Sequence, residues 1–553
     1  MIDELGSCGE VLLSYLFLSE ISNLEKINST YKSTVHKFSD SILKNQESIV
    51  GSHLSRDLFY YLLDLLRHAK ARPSLNLRGY TMSNAETEDL LSAIKNKEMQ
   101  CLEIDLETPE ILKSLGTEPQ ISVKAVNLKE NKLTDQEAPF LVKWFKDSEK
   151  VFLQKNDFGL EGIRCITKGI QNIQEINLGS NSIDSERLLL VSEVIPNSKL
   201  VHLDLSDNEI GIEGAKTLAS VLPSSLIKTL NLYNNSLGPQ GAIFLSEGIS
   251  FSKLESLFLR QNFIGNEGAE AISRAVLNSS ITTLDLTINT ITNGGVEFLL
   301  LHLSSTKIRE LHLNINYLDE NISQRIGQAM LSPNLELMFL GDNLLKKEGM
   351  LNIASYLKSP NLKFVDFAMN GLEDEGAIAI AGSMANSMLE SIDLDFNFIT
   401  DKGLEALSSC FPKSLVALKI EENEFTIKGF QSLFAGLVSS SIKDLSLSGN
   451  SIDSQIALLL AETLPQTKLT DLNLRVNSIK DEGLSHLSKA IPYTELRTIG
   501  LESNLITDTG AESILEAIPR SYLNFIGLGR NPISDQMMNK FKSIYYKVDF
   551  RGK

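Results

Sequence analysis

The chain has 553 residues, and 52 Lys and Arg against 70 Asp and Glu give a formal net charge of −18. The hydrophobic fraction of 42% excludes a mainly disordered chain. The acidic balance argues against non-specific nucleic-acid binding, which needs clustered Lys and Arg to displace counterions. Four scattered cysteines are too few for a disulfide framework or a zinc site, and they are typical of a reducing compartment.

Several classes of function lack their sequence motifs. No segment contains the ~20 apolar residues of a membrane-spanning helix, and the first residues have no basic region of a secretory signal peptide. The phosphate-binding loop G-x-x-x-x-G-K-[ST], the H-E-x-x-H motif and the G-x-S-x-G nucleophile elbow are absent from the sequence. The 7 histidines have no metal-ligand spacing. We therefore expect a cytoplasmic protein that is not an enzyme and uses no cofactor or metal.

Residues 1–72 contain no repeat and are predicted to form a few helices, the clearest of which spans 57–68. Within them, the segment from Glu10 to Tyr31 resembles an F-box. The positions that carry the resemblance are Tyr15, Leu16, Leu18, Glu20, Ile21, Leu24, Ile27, Asn28 and Tyr31. F-boxes bind the Skp-type adaptor of cullin ubiquitin ligases. The resemblance therefore implies an adaptor surface formed by Leu16, Leu18, Ile21, Leu24, Ile27 and Tyr31.

The same segment has a purely structural alternative. A solenoid needs its open end covered, and a helical cap would bury Leu16, Leu18, Ile21 and Leu24 as ordinary core residues. The sequence leaves both interpretations open.

From about residue 120 onward, the pattern L-x-x-L-x-L-x-x-N-x-[IL]-x-x-x-G-x-x-x-L-x-x-x-[LI] recurs, mostly in steps of 27 residues. Its first part alternates with period two and predicts a short strand. Its second part has apolar residues at helical spacing, as Ala215, Leu218, Ala219 and Leu222 illustrate, and predicts a helix behind the strand. The asparagines of the 16 units are Asn131, Asn156, Asn181, Asn208, Asn235, Asn262, Asn289, Asn316, Asn343, Asn370, Asn397, Asn423, Asn450, Asn477, Asn504 and Asn531.

The recurring Asn and Gly residues have predicted structural roles. An amide side chain both donates and accepts hydrogen bonds, so we expect each Asn to pair backbone groups between adjacent turns. Gly lies six residues after the Asn in 11 of the 16 units. At that position, close packing of neighbouring turns is expected to leave no room for a side chain.

This pattern resembles the leucine-rich repeats of the ribonuclease-inhibitor type. The resemblance implies an α/β fold, a leucine-rich repeat solenoid of horseshoe shape with parallel strands on the concave face and helices on the convex face. Residues 1–72 would be a small α-helical cap and residues 73–553 the repeat array, with atypical capping repeats at 73–120 and 532–553. Weaker units predict further strands at 75–77, 104–106 and 548–550.

The exposed side of the strands is the candidate binding surface, because the regular spacing leaves no long loop to carry a site. Residues six, four and two before each Asn are expected to point outward. The aspartates and asparagines four before the repeat Asn are expected to form an ordinary solvated face: Asp204, Asp285, Asp366, Asp393, Asn127, Asn177, Asn231 and Asn473. The candidate partner-binding residues are Tyr233, Phe258, Arg260, His312, Phe339, Phe364, Asp366, Asp393, Asp395, Phe396, Lys419 and Glu421.

Exposed aromatic side chains together with Arg are typical of interface hot spots, and acidic neighbours would attract a basic partner. The alternative is that scattered exposed aromatics are normal on any protein surface. His312 has no nucleophile at the adjacent strand positions, and the pair of Asp393 and Asp395 has no predicted closed pocket. Neither feature predicts catalysis.

The sequence thus predicts a monomeric protein-recognition module that binds a protein partner on its concave face. With a working F-box it would be the substrate receptor of a cullin-type ubiquitin ligase. The alternatives are a regulator of a small GTPase, since Ran GTPase-activating proteins share this repeat type, and an inhibitor of a partner enzyme. The Lys-, Asn- and Ser-rich composition also resembles effectors that intracellular bacteria deliver, which would place the protein in the host cytosol.

Overall fold

The computed structural model describes four stretches of the chain, residues 74–94, 98–106, 122–544 and 548–549. The predicted helices of residues 1–72 and the F-box-like surface therefore lie outside the described residues.

The chain divides into two compact units. The first consists of residues 1–262 and 278–280, and the second of residues 263–277 and 281–553. This division lies inside the repeat array, where the repeat pattern predicts no boundary. The predicted boundary near residue 72 stays a prediction.

The first unit is built from parallel strands that alternate with helices. Its described residues form eight strands, each paired in parallel with the next. The strands are β1 (Ser74–Met82), β2 (Glu98–Leu106), β3 (Ser122–Asn127), β4 (Lys150–Phe152), β5 (Glu175–Asn177), β6 (His202–Asp204), β7 (Thr229–Asn231) and β8 (Ser256–Phe258). The α-helices are α1 (Asn84–Ile94), α2 (Ala138–Trp144), α3 (Leu160–Thr167), α4 (Ser185–Val194), α5 (Gly211–Val221) and α6 (Gly238–Ile249).

The second unit repeats this arrangement with eleven strands among its described residues, again each parallel to the next. The strands are β9 (Thr283–Asp285), β10 (Glu310–His312), β11 (Leu337–Phe339), β12 (Phe364–Asp366), β13 (Ser391–Asp393), β14 (Ala417–Lys419), β15 (Asp444–Ser446), β16 (Asp471–Asn473), β17 (Thr498–Gly500), β18 (Phe525–Gly527) and β19 (Val548–Asp549). The α-helices are α7 (Gly265–Val276), α8 (Asn293–His302), α9 (Ser323–Met330), α10 (Lys346–Ile353), α11 (Glu373–Met384), α12 (Asp401–Ser408), α13 (Ile427–Ser439), α14 (Ser454–Thr463), α15 (Lys480–Ala490), α16 (Asp508–Ala517) and α17 (Asp535–Ile544).

The strands pair in register, so equivalent residues of successive repeats lie side by side. Leu203 of β6 faces Leu230 of β7, which in turn faces Leu257 of β8. These three side chains are buried, whereas the residues before and after them are at least partly exposed. Side chains alternate between the two faces of a strand. The leucines of successive repeats therefore line the core, and the residues directly before and after each leucine form two outward-facing columns.

The helices bury the apolar positions that the repeat pattern identified. In α5 the buried residues are Gly214, Ala215, Leu218 and Ala219. Several helices of both units then continue into a short 3₁₀ turn with Pro at its start, because Pro cannot extend an α-helix. These turns are Ile195–Asn197, Leu222–Ser224, Leu464–Gln466, Ile491–Tyr493 and Ile518–Arg520.

The predicted role of the asparagines is confirmed. The Oδ1 atom of Asn208 accepts hydrogen bonds from the backbone N–H groups of Asn181 (3.0 Å) and Ile183 (2.9 Å) of the preceding repeat. Its Nδ2 atom donates to backbone carbonyls, those of Leu178, Leu205 and Ser206. The side chain satisfies buried backbone groups of two repeats, and the same pattern recurs at Asn156, Asn316, Asn397, Asn477 and Asn531.

The predicted close approach at the recurring glycines is confirmed as well. A Cβ atom on Gly295 would lie 2.7 Å from both Asn266 Oδ1 and Ile291 Cγ2. Such distances are too short for any side chain. The additional strands predicted near the two ends are present as β1, β2 and β19.

None of the helices in the described stretches is long and apolar enough to cross a membrane.

Candidate protein-binding site

Seven of the candidate residues lie within strands, Phe258, His312, Phe339, Phe364, Asp366, Asp393 and Lys419, and five lie in the turns that directly follow strands, Tyr233, Arg260, Asp395, Phe396 and Glu421. Tyr233, Phe258 and Arg260 belong to the first unit, whereas the candidates from His312 to Glu421 belong to the second. Each group is therefore described separately.

In the first unit, the guanidinium carbon of Arg260 lies 5.7 Å from the centroid of the Tyr233 ring. This distance is within the range of a cation–π interaction. The Tyr233 hydroxyl donates a hydrogen bond to Gln261 Oε1 at 3.3 Å, which orients the ring. Phe258 is half-buried and faces Asn231 of the neighbouring strand. The structure thus brings Tyr233 and Arg260 together as a small aromatic–cationic pair.

In the second unit, three rings from successive repeats form a stack. The rings of His312 and Phe339 lie almost parallel, with centroids 3.9 Å apart and an interplanar angle of 7°. Phe364 continues the row, its ring centroid 4.8 Å from that of Phe339. His312 is also held by a hydrogen bond of 2.8 Å between its Nε2 atom and Glu310 Oε1. The stack fixes these rings without a partner, so little side-chain entropy remains to be lost on binding.

Asp366 lies beside the stack, paired with Phe339 on the neighbouring strand, and is only 8% exposed. Its carboxylate accepts hydrogen bonds from the backbone N–H of Ala368 (2.9 Å) and from Asn314 Nδ2 (2.6 Å). Asn314 reaches it from two repeats away because Gly341, between them, has no side chain to block the path. Burial, and to a smaller extent the nearby Asp393, raise the pKa of Asp366.

The next repeats add two more carboxylates and one cation. Asp393 is also only 8% exposed, and its Oδ2 atom lies 3.2 Å from Lys419 Nζ. Asp395 accepts a hydrogen bond of 2.6 Å from the backbone N–H of Glu421. Burial, together with the charge of Asp393, raises the pKa of Asp395 to about 8. Lys419 therefore pairs directly with Asp393 and also interacts electrostatically with Asp395 and Asp366.

The expectation that the aspartates four before each Asn are simply solvated is wrong for Asp366 and Asp393. Neighbouring repeats supply hydrogen-bond donors and a lysine that cover these carboxylates. Burial makes the carboxylate of Asp366 costly to ionise and so raises its pKa.

Glu421 extends the row of acids to the following repeats. Its Oε1 atom accepts hydrogen bonds from the Ser446 hydroxyl and from Asn473 Nδ2, the latter at 2.9 Å. Phe396 lies apart from the stack, exposed to solvent in the turn after β13.

Sequence reasoning missed the residues that organise this face, above all Asn314, Gly341, Ser446 and Asn473. The signal was present in the sequence, because these residues occupy the same outward columns of the repeat. A Gly or Ser in such a column lets side chains two repeats apart meet, as the hydrogen bond from Asn314 to Asp366 shows.

Within the described residues, no group of three or more His, Cys, Asp or Glu side chains has the arrangement to hold a metal ion. His312 is hydrogen-bonded to Glu310 and stacked on Phe339. The face combines stacked rings with a row of carboxylates.

The comparisons with known proteins agree with this fold. Six segments of the chain match the family model described as Leucine Rich repeat, residues 197–219, 252–273, 277–300, 358–381, 385–408 and 466–488. No curated protein sequence matches the chain. The chain contains leucine-rich repeats, and the predicted fold class, an α/β leucine-rich repeat solenoid, is confirmed. Leucine-rich repeats indicate a protein–protein interaction module and are generally non-enzymatic.

Proposed function

We propose that the second unit binds a protein partner through its acidic–aromatic face, defined as His312, Phe339, Phe364, Asp366, Asp393, Asp395, Lys419 and Glu421. The observation that carries this proposal is the stack of His312, Phe339 and Phe364 beside a row of carboxylates. Ordered rings offer a large apolar contact area, and aromatic residues are enriched in the parts of interfaces that contribute most to affinity.

The charge of the face supports a partner with basic side chains. The face contains four carboxyl groups, those of Asp366, Asp393, Asp395 and Glu421, and one lysine, Lys419, which is already paired with Asp393. The raised pKa of Asp395 reflects burial and repulsion from Asp393. A Lys or Arg of the partner would relieve that repulsion and favour the ionised carboxylate. We therefore expect binding to strengthen as the pH rises towards 8.

Phe339→Ala tests this proposal, because it removes the central ring of the stack. Full-length wild-type and variant proteins are used as baits for affinity purification, and the recovered partner is then purified and titrated against both. The matched control is Phe251→Ala, which removes an exposed ring in the turn after α6 of the first unit. We expect the F339A variant to bind at least about tenfold more weakly and the F251A variant to bind like wild type. Equal affinity of all three folded proteins would contradict the proposal.

We further propose that residues 1–72 link the bound protein to a Skp-type adaptor, which would make the chain a substrate receptor of a cullin-type ubiquitin ligase. Support comes from the F-box-like pattern and its combination with leucine-rich repeats. The test is a pull-down of purified adaptor by the full-length protein and by its Leu18→Ala, Ile21→Ala double variant. Failure of the wild-type protein to bind the adaptor would exclude this branch. The alternatives, regulation of a small GTPase or inhibition of an enzyme, would then be tested with a panel of GTPases and with the recovered partner.

A further inference from the structure

The turn after each strand exposes two residues, one directly before and one directly after the recurring Asn of the repeat. We call these positions the loop edge. In the repeats of β3 to β7 they are polar: Glu130, Lys132, Lys155, Asp157, Ser180, Ser182, Asp207, Glu209, Asn234 and Ser236, whereas the repeat of β8 has Gln261 and Phe263. The turn therefore folds normally with polar side chains at both positions.

In the second unit, six of the eight loop-edge positions in the four successive repeats from β10 to β13 are large and apolar, and the other two are Asp342 and Gly371. We call this set the apolar ridge: Ile315, Tyr317, Leu344, Met369, Phe396 and Phe398. These residues are between 40% and 61% exposed. Six large apolar side chains are thus exposed at one edge of four adjacent repeats, and clustered apolar exposure of this kind is typical of an interaction site.

The backbone gives a second reason to regard the ridge as functional. Residues directly before the Asn have left-handed backbone conformations, with φ of 53° at Ile315, 53° at Met369 and 54° at Phe396. This conformation suits Asn and Gly and is unfavourable for bulky or β-branched side chains. Asn234 occupies the same position in the first unit with φ of 52°. Neither burial nor backbone preference explains apolar residues on the ridge.

The charges around the ridge indicate what it binds. The loop-edge positions between and beside the ridge residues include the acids Asp342, Glu422 and Glu424. From Ile288 to Leu505, the loop edge of the described chain contains no Lys or Arg. A second copy of this chain would carry the same net charge of −18, so charge complementarity favours a different, basic partner.

We propose that the apolar ridge is a docking surface for a partner segment whose apolar side chains are flanked by Lys and Arg. Four repeats span three strand spacings of about 4.8 Å, or roughly 14 Å, which is the length of about ten helical residues. The segment fits as about three turns of amphipathic helix with its basic residues towards Asp342 and Glu422. This inference rests on the proposed function in one respect, since it treats the ridge and the acidic–aromatic face as parts of one recognition surface.

The test uses two synthetic helical peptides with an identical pattern of Leu, one with Lys and one with Glu at the polar positions. Their binding to the full-length protein is measured by fluorescence anisotropy. We expect the Leu/Lys peptide to bind at least about tenfold more tightly than the Leu/Glu peptide. The double variant Ile315→Asn, Phe396→Asn should lose at least about tenfold in affinity for the Leu/Lys peptide. Its melting temperature should be unchanged or raised, because Asn suits the left-handed backbone.

Val476→Asn is the matched control. Val476 occupies the same position in a later repeat, with φ of 53° and a similarly exposed side chain, but outside the ridge. It should gain the same backbone relief and keep full peptide affinity. The inference is overturned if the Leu/Lys peptide does not bind, if the Leu/Glu peptide binds equally well, or if V476N weakens binding as much as the double variant. A concentration-dependent dimer that the double variant abolishes would also overturn it.

Phe339→Ala separates this inference from the proposed function. In one outcome, F339A retains its affinity for both the Leu/Lys peptide and the recovered partner while the ridge double variant loses affinity for both. In that case the ridge is the binding surface and the acidic–aromatic face is not. If only F339A weakens binding, the ridge inference is wrong and the proposed function stands.

Discussion

The side chain of Asn208 connects two repeats of the first unit, and its removal should have a large effect on stability. In Asn208→Ala the backbone N–H groups of Asn181 and Ile183 lose their acceptor. Asn181 and Ile183 are buried, so water does not readily replace the amide oxygen. An unsatisfied buried donor costs about 1–3 kcal/mol, so two of them should lower the free energy of unfolding by roughly 2–6 kcal/mol.

The measurement is urea-induced unfolding of the full-length protein, followed by circular dichroism. Asn197→Ala is the control, because Asn197 is exposed at the end of the 3₁₀ turn after α4. It should change the free energy of unfolding by less than about 0.5 kcal/mol. A loss below about 1 kcal/mol for N208A would refute the reasoning, since it would mean that water or a backbone shift satisfies both donors.

Two further predictions concern a titrating carboxyl and the packing of helices in the second unit. The pKa of Asp395, about 8, lies above that of the unfolded chain, so the folded state holds this proton more tightly and stability falls as the pH rises from about 4 to 8. D395N keeps a side-chain oxygen that accepts the hydrogen bond from the Glu421 N–H. At pH 9 its free energy of unfolding should exceed that of wild type by roughly 2–3 kcal/mol, a figure reduced for partial solvent screening. At pH 4 the two proteins should be nearly equally stable. A difference independent of pH would contradict this origin. Gly436→Ala would press a methyl group onto the Ser408 carbonyl and should destabilise by about 2 kcal/mol, whereas Gly382→Ala, with nothing within 4 Å, should stabilise by about 0.5–1 kcal/mol. Thermal unfolding of both variants checks the pair, and equal effects would refute the packing argument.

The repeat pattern was sufficient to predict the fold because each turn of a solenoid contacts mainly its neighbours. The spacing of 27 residues fixes the register, and alternation along each strand fixes which residues face the core, as Leu203 and Leu230 show. The roles of Asn208 and Gly295 followed from the same local logic, because every repeat must satisfy the same backbone groups in the same limited space.

The binding surface was predicted only in outline. The sequence identified His312, Phe339 and Phe364 as outward residues, but their stacking depends on side-chain geometry that periodicity does not contain. Asp366 was expected to be solvated and is buried, because Asn314 reaches it across Gly341.

The sequence by itself determined the repeat, its register and the outward columns, since these depend on local periodicity and on contacts between adjacent turns. Only the tertiary structure decided which outward residues touch and how strongly burial shifts their charges, as at Asp395. It also showed that the loop edge is exposed and left-handed at Ile315 and Phe396, which makes their apolar side chains unexpected. Contacts between side chains of different repeats, and the water they exclude, exist only once the turns are stacked.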